Sequence, residues 1–536
     1  PVGASNLYGH NPKDLKYRFQ RVAPIHVSPH NPNIVYHGSQ YLHKTTDDGL
    51  HWETISPDLT AFESDKQVIS GVPITRDITG EEFYSTLYSI RESPLREGLI
   101  WTGSNDGLIH LTQDGGKTWN NITPSKLPKG GRVDAVEPSK HNPAKAYISV
   151  LRYQLGDDKP YIYKTNNYGK SWKLLTTGSN GIPDNFPTRV VREDPVREGL
   201  LYAGTEFGLF ISFDEGEHWK PFQQNLPVTP VTDIKIHRGD LVLSTMGRSF
   251  WILDNITTLR QPKINELLNA PWLFKPDVTI RYRYPHIRNS KSSFPIYPQP
   301  GVFVDYYIPK GTNSGVKLDI LDKNEKPVVS YISDTTKHKL RDKIVEDMST
   351  NDVFYQVDTS LYVKPGLNRF HWNMKYTGPW TKDKLKRYQN GPMAAPGVYT
   401  ARLTINDQVL EQQFELIIDP RVKESGISVE DIEVQVAFHQ KVGSLVSESQ
   451  KLQVSLENEL KKLKGINKQS ERLQKVETAL KELKTDSGAY PQPMLTDQIV
   501  YLYNLIDSAD QLPGNEAVKR FDELNRAFRK LQKTLE

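Results

Sequence analysis

Thr45-Thr46-Asp47-Asp48-Gly49-Leu50-His51-Trp52 decides the fold, because the chain returns to it three times. Thr112-Gln113-Asp114-Gly115-Gly116-Lys117-Thr118-Trp119 is the second copy. Thr165-Asn166-Asn167-Tyr168-Gly169-Lys170-Ser171-Trp172 is the third, with Asn in the acidic slot. Ser212-Phe213-Asp214-Glu215-Gly216-Glu217-His218-Trp219 is the fourth. The shared form, Ser/Thr-x-Asp-x-Gly-x-x-Trp, has the chemistry of a tight β-hairpin turn. The hydroxyl and the short carboxylate hydrogen-bond the loop's own backbone. The glycine supplies a positive φ. The tryptophan is expected to bury a large face beneath the turn.

Around each copy runs a longer repeat with a period of roughly 45–70 residues, the range of propeller blades. Its frame is a strand, a Pro-containing turn and an aromatic-x-Gly strand. Val27-Ser28-Pro29 to Val35-Tyr36-His37-Gly38 is one instance. Glu92-Ser93-Pro94 to Trp101-Thr102-Gly103 and Glu193-Asp194-Pro195 to Tyr202-Ala203-Gly204 are two more. The third repeat is looser, with Tyr147-Ile148-Ser149 in the aromatic position. A fifth unit, Val231 to Asn255, has three strand-like segments and no box. Each blade therefore reads strand A, Pro turn, strand B, short turn, strand C, box, strand D. Because antiparallel strands alternate direction, the A–B turns and the boxes share one rim. The B–C turns and the D–A connections share the other, and long irregular loops on a rigid scaffold are where function usually sits.

The repeated turn is the Asp-box, and the chain resembles Asp-box β-propellers of the sialidase-like and sortilin-like kind. In those proteins the box is structural, which assigns that role here to Asp47, Gly49, Trp52, Asp114, Gly116, Trp119, Asn167, Gly169, Trp172, Asp214, Gly216 and Trp219. Five segments, Arg18 to Thr60, Glu92 to Asn105, Tyr161 to Trp172, Arg192 to Phe213 and Leu226 to Leu253, resemble a large family of exported bacterial sortilin-like repeat proteins. Its members often carry a glycosyl hydrolase label. The resemblance implies the C-terminal half of a longer chain, at the periplasm or cell surface, with any outer-membrane association made through the N-terminal part. Five visible repeats are fewer than such rings need, and Ala4 to Tyr8 and Lys16 to Phe19 read as strands C and D of a further blade. The expected partner is the N-terminal half of the same precursor, or a second subunit, completing the ring.

The remaining chain changes character twice. Residues 258–300 read as a Pro-rich, basic connector. Residues 301–420 alternate as strands, including Val302 to Ile308, Val316 to Leu321, Gly366 to Trp372 and Gly397 to Thr404, and suggest an Ig-like β-sandwich. Residues 421–536 carry helical periodicity from the Ser428-x-x-Asp431 start signal onward and suggest an antiparallel bundle. The expected fold is thus mainly β: propeller blades over 1–257, then a sandwich, then helices.

A formal net charge of +4 over 536 residues gives no electrostatic footprint for nucleic acid. No cysteine is present, which excludes disulfides and thiol chemistry. No cofactor motif and no metal-binding spacing occurs: His10, His26, His30 and His37 are scattered over turns and strands. A two-carboxylate glycosidase would draw on Asp106 and Glu206, both in B–C turns, although Asn105-Asp106-Gly107 is also an ordinary hairpin turn. Arg132, Arg189 and Arg248 could recognise a carboxylate, but they are loosely placed and inter-blade ion pairs are the favoured explanation. The candidate ligand face comprises Asn105, Asp106, Arg152, Tyr153, Glu206, Phe207 and Arg248. A noncatalytic module that binds an envelope protein or peptide there is the favoured reading. A glycan-active hydrolase or glycan-binding protein, using carboxylates on the same face, is the alternative.

Overall fold

The computed structural model describes residues 10–69, 71, 83–261, 264, 269–283, 300–312, 315–333, 360–382, 387, 390–466 and 471–536. They form two compact units, Pro1–Ile256 and Thr257–Glu536. The first is a run of antiparallel meanders. One contains β1 (Ile25–Val27), β2 (Val35–Gly38), β3 (Leu42–Thr45) and β4 (Glu53–Thr54); the next contains β5 (Leu87–Glu92), β6 (Ile100–Ser104), β7 (Ile109–Thr112) and β8 (Asn120–Asn121). The third contains β9 (Arg132–Pro138), β10 (Ala146–Leu151), β11 (Ile162–Thr165) and β12 (Lys173–Leu174). The fourth contains β13 (Thr188–Glu193), β14 (Leu201–Thr205), β15 (Gly208–Ser212) and β16 (Lys220–Pro221). The fifth has three strands, β17 (Val231–His237), β18 (Asp240–Thr245) and β19 (Phe250–Leu253). Successive first strands pack on one another, β1 on β5, β5 on β9, β9 on β13 and β13 on β17. Sheets standing side by side with their first strands together are β-propeller blades.

The aromatic-x-Gly frame follows from that packing. Every residue of β6, β10 and β14 is buried, so these strands carry apolar or small residues on both faces. A Cβ on Gly204 would lie 2.6 Å from Val190 Cγ1 and 2.7 Å from Val231 O, leaving no room for a side chain as the next blade approaches.

All four repeated turns make the same bonds. In the first, Thr45 Oγ1 donates to Asp47 Oδ1 (2.9 Å) and accepts from Gly49 N (3.0 Å), while His51 N donates to Asp47 Oδ1 (2.9 Å). Asn167 fills the acidic slot without loss, because its Oδ1 accepts from Thr165 Oγ1 and Ser171 N. The turn glycines have φ between 77° and 99°. The tryptophans then join blades. Trp119 Nε1 donates to Ile55 O (2.9 Å), Trp172 Nε1 to Ile122 O (2.7 Å) and Trp219 Nε1 to Leu175 O (3.0 Å), each on the preceding blade. Only Trp219 is fully buried; Trp52, Trp119 and Trp172 are half-buried, less than the sequence suggests. They lie at the outer rim, whereas the segment after β12 folds over Trp219, with Asn180 O accepting from Trp219 N (2.7 Å).

These bonds give the turns an acid limit. Hydrogen bonds from His51 N and its ring hold the Asp47 carboxyl down to about 2, and those from Thr118 hold Asp114 at about 2. A carboxyl depressed in the folded state contributes stability above its unfolded value, which is lost as pH falls through the folded one. The Gly49 and Gly116 amides should therefore exchange faster as pH drops from about 4 toward 2, relative to Gly169 beside Asn167. Amide exchange corrected for intrinsic rates checks this, and equal acceleration at Gly169 would contradict it.

Lys16–Phe19 forms no strand, contrary to the sequence reading. Its side chains instead reach down onto the first blade, with Arg18 paired to Asp58 (2.9 Å). Ala4 to Tyr8 lies outside the described residues.

In the second unit, β20 (Trp272–Leu273), β22 (Val302–Ile308) and β25 (Gly366–Trp372) form one sheet. Five strands form the other: β21 (Thr279–Arg281), β27 (Gln408–Ile418), β26 (Gly397–Ile405), β23 (Val316–Leu321) and β24 (Pro327–Ile332). Both sheets contribute to one core, including Val304, Tyr306, Leu318, Phe370, Trp372 and Leu403. The stretch read as a connector thus supplies two strands, and buried Arg281 ties it to the helices through Asp510 (2.9 Å). Ser428 and Asp431 cap the helix Val429–Ile466 reciprocally, Asp431 N donating to Ser428 Oγ and Ser428 N to Asp431 Oδ2. The helices Glu471–Leu483, Leu495–Ile506 and Asn515–Leu535 share a leucine-rich core with it.

Candidate functional site

The two rims of the first unit are fixed by backbone bonds. Gly115 N donates to Gly98 O (3.0 Å) and Glu215 N to Gly199 O (2.9 Å), joining each box to the A–B turn of its own blade. On the opposite rim Glu206 N donates to Pro187 O and Met246 N to Pro230 O, joining B–C turns to D–A connections. Asp106 belongs there too, since its Oδ2 accepts from Ala61 N (2.9 Å).

At that end, the first strands of blades two to five share a bulge. Pairing skips one residue in each: Tyr88, Asp134, Arg189 and Thr232. A bulge re-aims the extra side chain, and here it brings charges from neighbouring blades together. Arg132 forks onto Asp134 through Nε and Nη2. Arg189 Nε donates to Glu206 Oε1 (2.5 Å), and its Nη1 lies 3.8 Å from Asp134. Arg132 stacks over Tyr88 (4.5 Å) and Arg189 over Tyr153 (5.9 Å). Burial pushes the Asp134 carboxyl up despite Arg132.

Most of the residues expected to hold ligand are committed to the scaffold. Asp106 is buried and also accepts from Ser104 Oγ (2.5 Å). Asn105 accepts from Thr86 N and donates to Phe83 O. Arg152 is buried, donating to the carbonyls of Pro128, Lys129 and Gly130 and pairing with Asp157 (2.8 Å). Glu206 is half-buried on Arg189, two blades away from Asp106. Tyr153, Phe207 and Arg248 are exposed. Arg248 sits in the β18–β19 turn, and the structure brings it to neither Arg132 nor Arg189, whose guanidinium groups converge on Asp134.

This rim exposes the apolar and aromatic side chains Phe62, Tyr153, Leu155, Phe207, Val228 and Met246 beside the charged Lys129, Asp158, Lys159 and Arg248. Tyr88, Asp134 and Leu155 escape sequence reasoning.

On the box rim, Glu193, Glu198 and Glu215 come together closely enough to hold a metal ion. Lys145 Nζ already lies among them, at 2.9, 2.6 and 3.1 Å. Burial works against its charge, but hydrogen bonds to Glu198 and Glu193 outweigh it and raise the ammonium's pKa. The cluster is an internal ion-pair network with the ammonium as its cation.

No protein-family description and no curated protein matches this chain. Among solved structures, it is similar to YCF48 bound to D1 peptide, at 15% identity and a TM-score of 0.30, over 45% of this chain and 65% of that one. It is also similar to the GH74 xyloglucanase from Xanthomonas campestris, at 15% identity and TM-score 0.32, over 72% and 50%. A Niastella koreensis GH74 enzyme gives 12% identity and TM-score 0.33, over 74% and 57%. The matched region spans between half and two thirds of these proteins.

Proposed function

We propose that this chain is a noncatalytic scaffold whose first unit binds a protein or peptide on the rim opposite the repeated turns. One observation carries the reading: Asp106, Arg152 and Glu206 on that rim are held in internal bonds, while Phe62, Tyr153, Leu155, Phe207 and Met246 are exposed. Exposed aromatic and long apolar side chains on a rigid support suit protein recognition, where they anchor the interface. A general acid or base must reach its substrate. Asp106 is buried beneath two donors and Glu206 is held by Arg189, which supports binding over hydrolysis.

The four turns are proposed as Asp-boxes of the sortilin-like kind, on the pattern of their bonds. The two sheets of the second unit are proposed as an Ig-like accessory module and its helices as an antiparallel bundle. An exported, cell-envelope location rests on the sequence resemblance. Among the described residues no helix is long and apolar enough to cross a membrane.

Asp106→Asn and Glu206→Gln, assayed on polymeric glycan beside the parent chain, test the reading. Any turnover should be the same in all three. A loss of roughly a hundredfold in either variant, the scale of a lost general acid or base, would make the chain a glycan-active enzyme instead.

A further inference from the structure

Two Asn-Gly pairs occur in the chain, Asn180-Gly181 and Asn390-Gly391, and the fold holds them in opposite ways. In this dipeptide the backbone nitrogen attacks the asparagine side chain most readily, because glycine has no Cβ to crowd the nucleophile and its backbone turns freely. Asn180 is tied down. Its Nδ2 donates to Leu175 O (2.8 Å), Glu217 O (3.1 Å) and Gly216 O (3.3 Å), and its Oδ1 accepts from Thr177 N (3.0 Å). Gly181 is wedged as well, since a Cβ there would lie 1.9 Å from Trp219 O. For Asn180 Cγ to reach Gly181 N, these bonds must all break.

Asn390 lies in the second unit, in the stretch between β25 and β26, and is exposed. Its backbone is held. Asn390 O accepts from Tyr503 Oη (2.6 Å) on the helix Leu495–Ile506. On either side, Tyr376 N donates to Pro392 O (2.9 Å) and Gly378 N to Arg387 O (2.7 Å). Its side chain is not held: among the described residues neither the Asn390 carboxamide nor Gly391 N has a hydrogen-bond partner. Packing imposes the glycine. A Cβ on Gly391 would lie 1.6 Å from Tyr376 O, and one on Gly378 would lie 2.9 Å from Gly391 N. Two backbone segments meet there with no space for a side chain, so the residue after an exposed, unpartnered asparagine must be Gly.

We propose that Asn390 is a site of spontaneous deamidation, and that its isoaspartyl product detaches this stretch from Tyr503. The reaction needs no reactant but water. Gly391 N loses its proton to solvent and bonds to Asn390 Cγ, the Cγ–Nδ2 bond breaks, and ammonia leaves with a proton from solvent. Water then opens the cyclic imide. Cleavage of the Cγ–N bond gives aspartate on an unaltered main chain. Cleavage of the C–N bond gives isoaspartate, whose main chain runs through Cγ. In that product the carbonyl carbon that faced Tyr503 becomes a free carboxylate, and one extra methylene enters the backbone where Gly391 is pressed against Tyr376 and Gly378. The flanking bonds, Tyr376 N to Pro392 O and Gly378 N to Arg387 O, then lose their common register.

The inference does not depend on what the rim of the first unit binds. The test ages the full 536-residue chain in mildly alkaline buffer made with heavy-oxygen water, with Asn390→Asp beside it. Peptide mapping by mass spectrometry should find Asn390 converted to aspartate and isoaspartate, each carrying one heavy oxygen, at least about tenfold faster than Asn180. The Tyr376 and Gly378 amides should exchange at least about tenfold faster in the isoaspartyl fraction than in fresh protein. Asn390→Asp, whose main chain is unaltered, should exchange there like fresh protein. An Asn390 that keeps its amide, equal conversion of both asparagines, or conversion without isoaspartate would overturn the site. Unchanged exchange in the isoaspartyl fraction, or the same acceleration in Asn390→Asp, would overturn the detachment.

Discussion

Trp219→Ala is expected to destabilise the first unit by about 3–5 kcal/mol, the range for removing a fully buried tryptophan. Trp219 is 3% exposed and packs in one core with Leu175, Ile182, Leu201 and Phe210, across two blades. Its loss leaves a cavity at a blade interface and takes one of two donors from Leu175 O, which keeps Asn180 Nδ2 (2.8 Å). Trp119→Ala should cost clearly less, because that ring is half-buried and keeps only one face on its neighbour. Denaturant unfolding of both variants, followed by a probe in the first unit, checks the order. An equal or larger loss for Trp119→Ala would contradict the account of how blades are joined.

Lys145→Met is the second large effect, expected at about 3–5 kcal/mol for breaking a buried ion pair by removing one partner. Lys145 and Glu193 are 2% and 1% exposed, and the variant strands Glu193 with only Tyr147 Oη (3.1 Å), Gly199 N and the Ser139 hydroxyl as donors. The pH dependence carries a definite sign. A lysine whose pKa is raised by folding contributes fully below its ordinary value, and the contribution is lost as pH rises through the folded one. The gap between parent and variant should therefore hold through neutral pH and close only above about 10.5. A gap that is already absent at pH 7 would mean that the lysine is a surface ornament of the network.

The blades were legible because each copy of the turn must satisfy the same donors, which leaves Ser/Thr, Asp or Asn, Gly and Trp at fixed spacing. Long strands such as Gly397–Ile405 showed themselves by alternation. Trp272–Leu273 and Thr279–Arg281 did not, since two or three residues cannot display a period, and their pairing depends on partners far along the chain. The rim was half legible. Turn position follows from strand order, so Asp106, Arg152, Glu206 and Arg248 could be placed on a loop. The burial of Asp106 and Arg152 could not be read, because the donors to Asp106 and the acceptors for Arg152 come from distant backbone. Bulges were hidden for the same reason: Tyr88, Asp134 and Arg189 are ordinary strand residues until the pairing register is known.

The most direct test of the binding account is a parallel screen of this chain against an array of peptides from envelope proteins and an array of glycans. Tyr153→Ala with Phe207→Ala removes exposed aromatics from the proposed rim, and Leu50→Ser with Val196→Ser alters exposed apolar residues on the box rim. The account predicts saturable peptide binding that falls at least about tenfold in the first double variant, a loss of about 1.4 kcal/mol, and is unchanged in the second. Peptide binding that survives the first variant and is lost in the second, or binding confined to glycans, would contradict it.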